Sequence, residues 1–470
     1  VHLFYNYKHY SQIFLLFFLL AGCRQIHSPK KLQQQLPQDK FVQVYFNHST
    51  ASEYREQYRM QTRYGDNLEK QIINVISEAK NSIDVAVQEL RLPKVAEALV
   101  DRYRVGVKVR IILENKYSRP WSSFTSTEIA SLPQRERQRY QDFKNFADIN
   151  NNGKLSQDEI AQRDALLILK NAKIPIIDDT EDGSKGSGLM HHKFVVVDNR
   201  FVIITSSNLT LSGIHGDYSN PNSLGNINNL LKIDSPKLAT LFTEEFNFMW
   251  GDGVGGKKDS KFGIKKPLRK AKKIILGNNR ITVKFSPIAR SNDWIETSNG
   301  LIDASLKSAG ESIDMALFVF SAQQLADTLK WQNKNNVKIR ALIEKDFAYR
   351  SYSEALDMLG IAIKRKCKYE PENNPWENPI NTVGVPLLPK GDLLHHKFAI
   401  VDKKLVITGS HNWSEAANYK NDETVLVIDS PQVAAHYVRE FERLYTNAIF
   451  DIPKKIYKTV EQQTRKCTNK

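Results

Sequence analysis

Cysteine, acidic residues and long apolar runs are the scarce materials of this chain of 470 residues. Three cysteines are sparse usage and supply no disulfide framework. Cys367 and Cys467 stand far apart; an oxidising envelope would allow them to pair, but two distant cysteines are more often unpaired, and a bridge is not expected. One apolar run, Ile13–Leu20, has the length of a signal h-region and is too short for a bilayer, which takes ~20 residues. Asp and Glu number 52 against 67 Lys and Arg, a net charge of +15. That balance favours polyanionic partners, either nucleic acid or anionic lipid headgroups. The rest is ordinary globular material, 41% hydrophobic and 10% aromatic, with length for one or two sizeable cores.

The apolar run ends in Leu20-Ala21-Gly22-Cys23, which resembles a bacterial lipobox. Cleavage there leaves Cys23 as a lipidated N-terminus, so residues 1–23 read as a signal peptide and 24–40 as a Gln-rich tether. The expected place is the bacterial cell envelope, as a periplasmic or outer-membrane lipoprotein held at the membrane by its lipid. A secreted protein is the alternative.

Two stretches carry the chemistry. His395-His396-Lys397, Asp402 and Gly409-Ser410-His411-Asn412 spell H-x-K-x4-D-x6-G-S-x-N. His191-His192-Lys193, Asp198 and Thr205-Ser206-Ser207-Asn208 repeat it, with Thr205 where the second copy has Gly409. The apolar run between Lys and Asp reads as a buried strand. Its period of two points the first His and the Lys of each copy one way, and His192 and His396 the other. Polar groups there are costly without partners or a task. The repetition is wider than the signature. Ser82–Ala86 matches Ser312–Ala316, and Val107–Arg110 matches Val337–Arg340, both at an offset of 230. The signatures lie 204 apart, so the first copy carries 26 extra residues ahead of its own. Each copy (residues 41–250 and 281–450) reads as strand, helix, strand, helix, strand, signature strands and closing helix, an α/β fold. Residues 251–280, with nine Lys or Arg between Lys257 and Lys273, read as a basic linker, and 451–470 as a basic tail.

On these residues the chain resembles the phospholipase D superfamily, whose members attack phosphodiesters. The resemblance implies two pseudo-symmetric α/β sandwich units around one shared cleft, a monomer built as an intramolecular pseudo-dimer. It implies a covalent phosphohistidine route with no metal in the chemistry. One His attacks phosphorus, and the other gives a proton to the leaving alkoxide and then activates water. Lys193 and Lys397 neutralise the phosphoryl oxygens, while Ser206, Asn208, Ser410 and Asn412 add hydrogen-bond donors. Asp198 and Asp402 hold the framework. In the family a Glu beyond the signature orients a catalytic His; here that position is Glu423 in the second copy and Asn228 in the first. An amide fixes a tautomer without stabilising imidazolium as a carboxylate does. By analogy His191 is the nucleophile and His395 the general acid. The substrate stays open between a phospholipid headgroup and a nucleic-acid backbone. The rival reading is a catalytically weak, calcium-binding envelope scaffold that binds polyanions.

The extra residues of the first copy hold a second motif. Asp148, Asn150, Asn152, Ser156 and Glu159 place oxygen side chains at positions 1, 3, 5, 9 and 12 of a loop with Gly153 at position 6. This resembles an EF-hand calcium loop, in which Lys154 binds through its carbonyl. One Ca2+ is expected in an insertion over about 141–170, outside the chemistry.

Overall fold

The β-branched runs read as strands form two twisted sheets with the same strand order. The computed structural model describes residues 32–251 and 259–468; Cys23, the apolar run before it and Lys257 lie outside the described residues. Residues 35–470 make one compact unit. Its first repeat contains β1 (Val42–Phe46), α1 (Leu68–Ser77), β2 (Ser82–Val87), α2 (Pro93–Arg104) and β3 (Lys108–Leu113). An inserted helical segment, including α3 (Gln134–Ala147) and α4 (Gln157–Arg163), leads to β4 (Ile176–Asp178) and β5 (Leu189–Met190). The signature strands β6 (Lys193–Val197) and β7 (Phe201–Thr205) follow, then β8 (Asn229–Asp234) and α5 (Pro236–Trp250). The sheet runs β1-β8-β7-β6-β2-β3-β4, with β2, β3 and β4 parallel and the other neighbours antiparallel.

The second repeat contains β9 (Lys272–Leu276), β10 (Asn279–Ser286), α6 (Ser298–Lys307), β11 (Ser312–Leu317), α7 (Gln323–Lys334), β12 (Lys338–Ile343) and β13 (Val383–Gly384). After them come β14 (Lys397–Val401), β15 (Leu405–Gly409), β16 (Asn421–Asp429), α8 (Pro431–Tyr445) and α9 (Lys454–Thr468). Its sheet runs β10-β16-β15-β14-β11-β12-β13, the order of the first, with β9 added outside β10. A duplicated sequence has folded twice into one topology.

Amphipathic helices decide what lies between the sheets. Asn67 caps α1 by accepting from the Lys70 N–H, and Leu68, Ile72, Val75 and Ile76 turn inward. α1 and α2 cover the outer face of the first sheet, and α6 and α7 that of the second. α5 and α8 fill the middle, where Phe242, Phe246, Phe285, Phe398, Tyr437 and Phe441 form one core drawn from both repeats. The seam is also hydrogen-bonded: β5 pairs in parallel with β16, and Ile227 bridges Leu394. The segment entering each signature is therefore tied to the other repeat.

Two stretches depart from the sequence reading. The expected linker is in part built into the fold, since it contains β9 and buries Lys266. Lys266 bridges Glu245 and Asp422 (2.6 Å from the latter), and Arg269 meets Glu245 at 2.9 Å. Glu245 on α5 is fully buried, and a buried carboxylate needs such cations. The expected tail is helix α9. Ile456 and Val460 pack on Leu356, Ile361 and Ile363, which carries the last helical turn over the 361–369 loop. Cys367 and Cys467, read as unpaired, form a disulfide there with α-carbons 5.4 Å apart. Their separation in sequence concealed a neighbourhood that the packing of α9 creates.

Candidate active site

Both signatures enter the seam on strands whose every residue is buried, so each polar side chain needs a partner there. The His191 N–H donates to Asp422 O (3.0 Å), and the His395 N–H to Ile227 O (3.1 Å). Each histidine is thus held on its backbone by the opposite repeat.

The side chains repeat this exchange. His191 Nδ1 donates to Glu423 Oε2 at 2.7 Å, which leaves Nε2 with the lone pair. The same oxygen accepts from Ser410 Oγ at 2.7 Å, and Oε1 accepts from Asn421 Nδ2 at 3.3 Å. His395 Nδ1 lies 3.0 Å from Asn228 Oδ1. The Asn228 amide cannot be turned the other way, because its Nδ2 donates to Gly213 O (2.8 Å) and Asn226 O (3.1 Å). Ser206 Oγ donates to the same Oδ1 at 2.7 Å. The two signature serines therefore fix the two histidine partners.

The lysines are almost without counterions. Lys193 Nζ reaches His191 O (2.9 Å) and Gln88 Oε1 (3.2 Å). Lys397 Nζ reaches His395 O (2.7 Å) and lies 4.8 Å over the Phe318 ring. Burial pushes Lys193 down to about 7, against the pull of Glu423 and Glu114. Burial, then Lys193, holds Lys397 well below the ordinary lysine range. His191 is lowered by burial and by both lysines. His395 is lowered by burial, both lysines and His191. Two histidines and two lysines thus share one buried space in which Glu423, its own pKa raised by burial, is the carboxylate hydrogen-bonded to a signature histidine, while Glu114 and Glu89 act on Lys193 without a direct contact. Such a set is short of negative charge, and a phosphoryl group supplies it.

A family description, "Cardiolipin synthase, PLD-like domain", matches residues 72–250 and 302–445, most of the chain. The chain belongs to this PLD-like family. It is 31% identical over 152 residues to the "Mitochondrial cardiolipin hydrolase" of Mus musculus, a match over 32% of this chain and 59% of that one. It is 28% identical over 175 residues to a "Phospholipase D" of Rickettsia typhi, over 37% of this chain and 72% of that one. The chain therefore spans little more than half the length of the mouse relative. Among solved structures, a phosphatidylserine synthase of Haemophilus influenzae superposes with a TM-score of 0.53 at 13% identity, over 92% of this chain and 94% of that one. That likeness concerns the fold alone.

The remaining PLD-like signature residues divide by position. Asn208 and Asn412 follow the serines, and each has a buried Oδ1 without a partner. Asp198 and Asp402 lie elsewhere, at the opposite ends of β6 and β14 from His191 and His395. Asp198 accepts the backbone N–H groups of Lys80, Asn81 and Ser82, and Asp402 those of Gly310, Glu311 and Ser312. Both stand in the left-handed region, φ 52° and 50°. They clamp the loops ahead of β2 and β11 and do not reach the cleft. His192 and His396 turn into the seam, toward Glu245 and Glu440.

Thr205 is accommodated without strain. At Gly409, with φ +135°, a Cβ would fall 2.2 Å from Thr424 O, so only glycine fits. Thr205 has no positive φ among the described residues; its Oγ1 donates to Asn229 O (2.6 Å), the equivalent carbonyl, and accepts from Ser207 N–H (3.0 Å).

Sequence reasoning passed over Glu114 and Glu344, which accept the N–H groups of Met190 (2.7 Å) and Leu394 (2.6 Å) just ahead of the signatures. They lie at the 230-residue offset that was already visible. The same offset pairs Gln88 with Phe318, so one lysine received an amide and the other a ring. Burial, then Asp179, pushes Glu114 up to about 7.

The insertion forms a helix, loop and helix. Asp148 accepts from the N–H groups of Asn152 and Gly153, and Asn152 Oδ1 from that of Lys154. Gly153 has φ +78°. Glu159 caps α4 through Ser156 and also accepts from Ile149 and Asn150. The donor set is all oxygen and suits a hard cation. Among the described residues no group of three or more His, Cys, Asp or Glu could hold a metal; the loop positions carry two carboxylates, Asp148 and Glu159, with amide, hydroxyl and carbonyl oxygens for the rest.

Proposed function

We propose that this chain is a phosphodiesterase that cleaves the headgroup phosphodiester of phospholipids through a covalent phosphohistidine on His191. The observation that carries the reading is the division of histidine partners, Glu423 on His191 and Asn228 on His395. A carboxylate on Nδ1 keeps Nε2 free to attack and stabilises the cation that forms as phosphorus bonds to it. An amide fixes the His395 tautomer but adds no charge, so protonated His395 remains a strong acid.

His191 Nε2 attacks phosphorus while the bond to the leaving oxygen breaks, and the His395 Nε2 proton passes to that oxygen. Lys193 and Lys397 neutralise the other phosphoryl oxygens, and Asn208 and Asn412 present amides to them. Water then gives a proton to His395, its oxygen attacks phosphorus, and the P–N bond breaks to restore His191. Free His395 is neutral near pH 7, since its pKa is lowered. A bound phosphate anion opposes that lowering, so the acid is charged when substrate is present. The similarity to a cardiolipin hydrolase of mouse and a phospholipase D of Rickettsia typhi supports the phospholipid as substrate. The lipobox supports action at a bacterial envelope membrane.

The test gives the purified chain phosphatidylcholine vesicles and single-stranded DNA in parallel, beside a His395→Ala control. Headgroup release that the control lacks is the expected result. Cleavage of DNA alone refutes the phospholipid reading. Binding without product from either leaves the scaffold.

The loop geometry supports one Ca2+ at Asp148, Asn150, Asn152, Ser156, Glu159 and the Lys154 carbonyl, bound when Glu159 releases the Ile149 and Asn150 N–H groups. Calorimetric titration with Ca2+ should give binding heat that Asp148→Asn together with Glu159→Gln abolishes. Equal heat from both proteins would place the ion elsewhere.

A further inference from the structure

The disulfide gathers charge that is dispersed in sequence. Lys364, Arg365, Lys366 and Lys368 surround Cys367, and Arg465 and Lys466 precede Cys467. The bond at 5.4 Å between α-carbons brings the two basic runs to one knuckle. Arg365 and Lys368 bridge each other across a tight turn in which Lys366 and Cys367 take positive φ. Arg365, Lys366, Lys368, Arg465 and Lys466 are exposed. Among the described residues none of the six cations has a carboxylate within ion-pair distance. Glu370, Glu372 and Glu461 are the acids nearby in sequence.

Helix α9 continues the surface. Ile456, Val460, Gln463 and Cys467 face inward at helical spacing, and Lys454, Lys455, Tyr457 and Lys458 face out. Tyr457 is 50% exposed and Tyr369, under the Lys364 ammonium, 51%. Leu387 and Ile449 are exposed beside the start of α9, where Val385 bridges Ile449. The first turn of α9 connects to the cleft through packed side chains. His395 packs on Phe318 and Phe318 on Phe347; Tyr349, in the turn after Phe347, and Leu356, on the short helix Glu354–Met358, pack with Ile456.

We propose that this knuckle and the outer face of α9 dock the protein on an anionic phospholipid bilayer, with the cleft brought to the headgroups on its His395 side. Unpaired cations supply attraction to a negative surface, and exposed tyrosine and aliphatic side chains suit the headgroup layer. Those apolar groups favour a lipid surface over a nucleic acid, which would be met by cations and free ring faces. The proposal rests on the reading that the substrate is a phospholipid, but binding tests it separately from turnover.

The chain from Gln35 onward, the compact unit, is sedimented with phosphatidylcholine vesicles with and without phosphatidylglycerol, at low and high salt. Lys364, Arg365, Lys366, Lys368, Arg465 and Lys466 are changed together to Gln. Lys70, Arg104 and Lys108, exposed on the first repeat, are changed to Gln as a control. Wild type and control should bind the anionic vesicles in a salt-sensitive manner. The six-fold variant should bind them more weakly by up to about fivefold per charge removed, with turnover of a monomeric short-chain phosphodiester unchanged. Cys367→Ser with Cys467→Ser, which keeps every charge, should bind more weakly than wild type. Equal vesicle binding by wild type and the six-fold variant overturns the proposal. So does a variant that loses duplex DNA and keeps vesicles. If vesicle binding falls as expected but no lipid is cleaved, the docking surface stands and the substrate reading fails.

Discussion

Glu423→Gln tests the asymmetry of the site most directly. Glu423 is fully buried, and three donors converge on its carboxylate: His191 and Ser410 on Oε2 at 2.7 Å, Asn421 on Oε1 at 3.3 Å. A glutamine fits the same volume, and its NH2 goes to the weakly held side, toward Asn421. Its oxygen still faces His191, so the tautomer survives and only the charge is lost. Two unit charges about 4 Å apart interact by ~4 kcal/mol at the effective dielectric suited to protein sites. Positive charge on His191 is part-formed in the transition state, so about 2–4 kcal/mol of stabilisation disappears. At 1.36 kcal/mol per decade, kcat falls by roughly 30- to 1000-fold. Stability should move the other way. The folded-state pKa of Glu423 is raised, so the folded protein binds its proton more tightly than the unfolded chain does. The ionised form therefore destabilises the fold above the ordinary carboxylate range, and a neutral amide removes that term. The assay is single-turnover hydrolysis of a soluble phosphodiester at saturation, with thermal unfolding in parallel. A kcat within threefold of wild type would refute the assigned role. A large fall in unfolding temperature would attribute the loss to folding instead.

Burial and the lysines depress both histidines, and Lys193 stands near 7; kcat/KM, which reports the free enzyme, should therefore lose activity as pH rises through about 7. A bound phosphate raises these values, so the basic limb of kcat should lie at higher pH, and coincident limbs in the two profiles would contradict the argument. Asp402→Asn, far from the cleft, keeps one oxygen for the Glu311 and Ser312 N–H groups but loses the charge and the oxygen that accepts from Gly310; stability should fall by about 1–2 kcal/mol with kcat of the folded fraction unchanged, and a selective loss of kcat would return Asp402 to the chemistry. Lys266→Met leaves Glu245 and Asp422 buried without their shared cation, at a cost of about 3–5 kcal/mol measured by urea unfolding, whereas a free connector would tolerate it.

The sequence carried the architecture because it carried it twice. The 230-residue offset and the period-two signature strands led to the two sheets, the shared cleft and the inward side of His191, Lys193, His395 and Lys397. What stayed hidden needed contacts between distant segments. No local pattern says that Glu423 serves the histidine of the other repeat, although the position of both partners was readable. The disulfide, open in sequence and not expected, depends on α9 packing against Leu356 and Ile363. Lys266 was read as a solvated charge because composition marks a basic run but not the buried Glu245 that one of its members neutralises.

The crossing of partners explains why the duplicated halves have been able to differ. Two identical subunits related by a two-fold axis must present the same residue to both histidines. In one chain, the position that serves His191 and the position that serves His395 are separate, Glu423 and Asn228. One carboxylate then suffices for the nucleophile, while the acid keeps an uncharged partner. Lys193 beside Gln88 and Lys397 beside Phe318 extend the same inequality to the cations. The fold remains two-fold in strand order and core, but the cleft has a direction. Under the proposed mechanism, a substrate that enters it meets the nucleophile His191 on one side and the proton donor His395 on the other, and the leaving group departs toward His395.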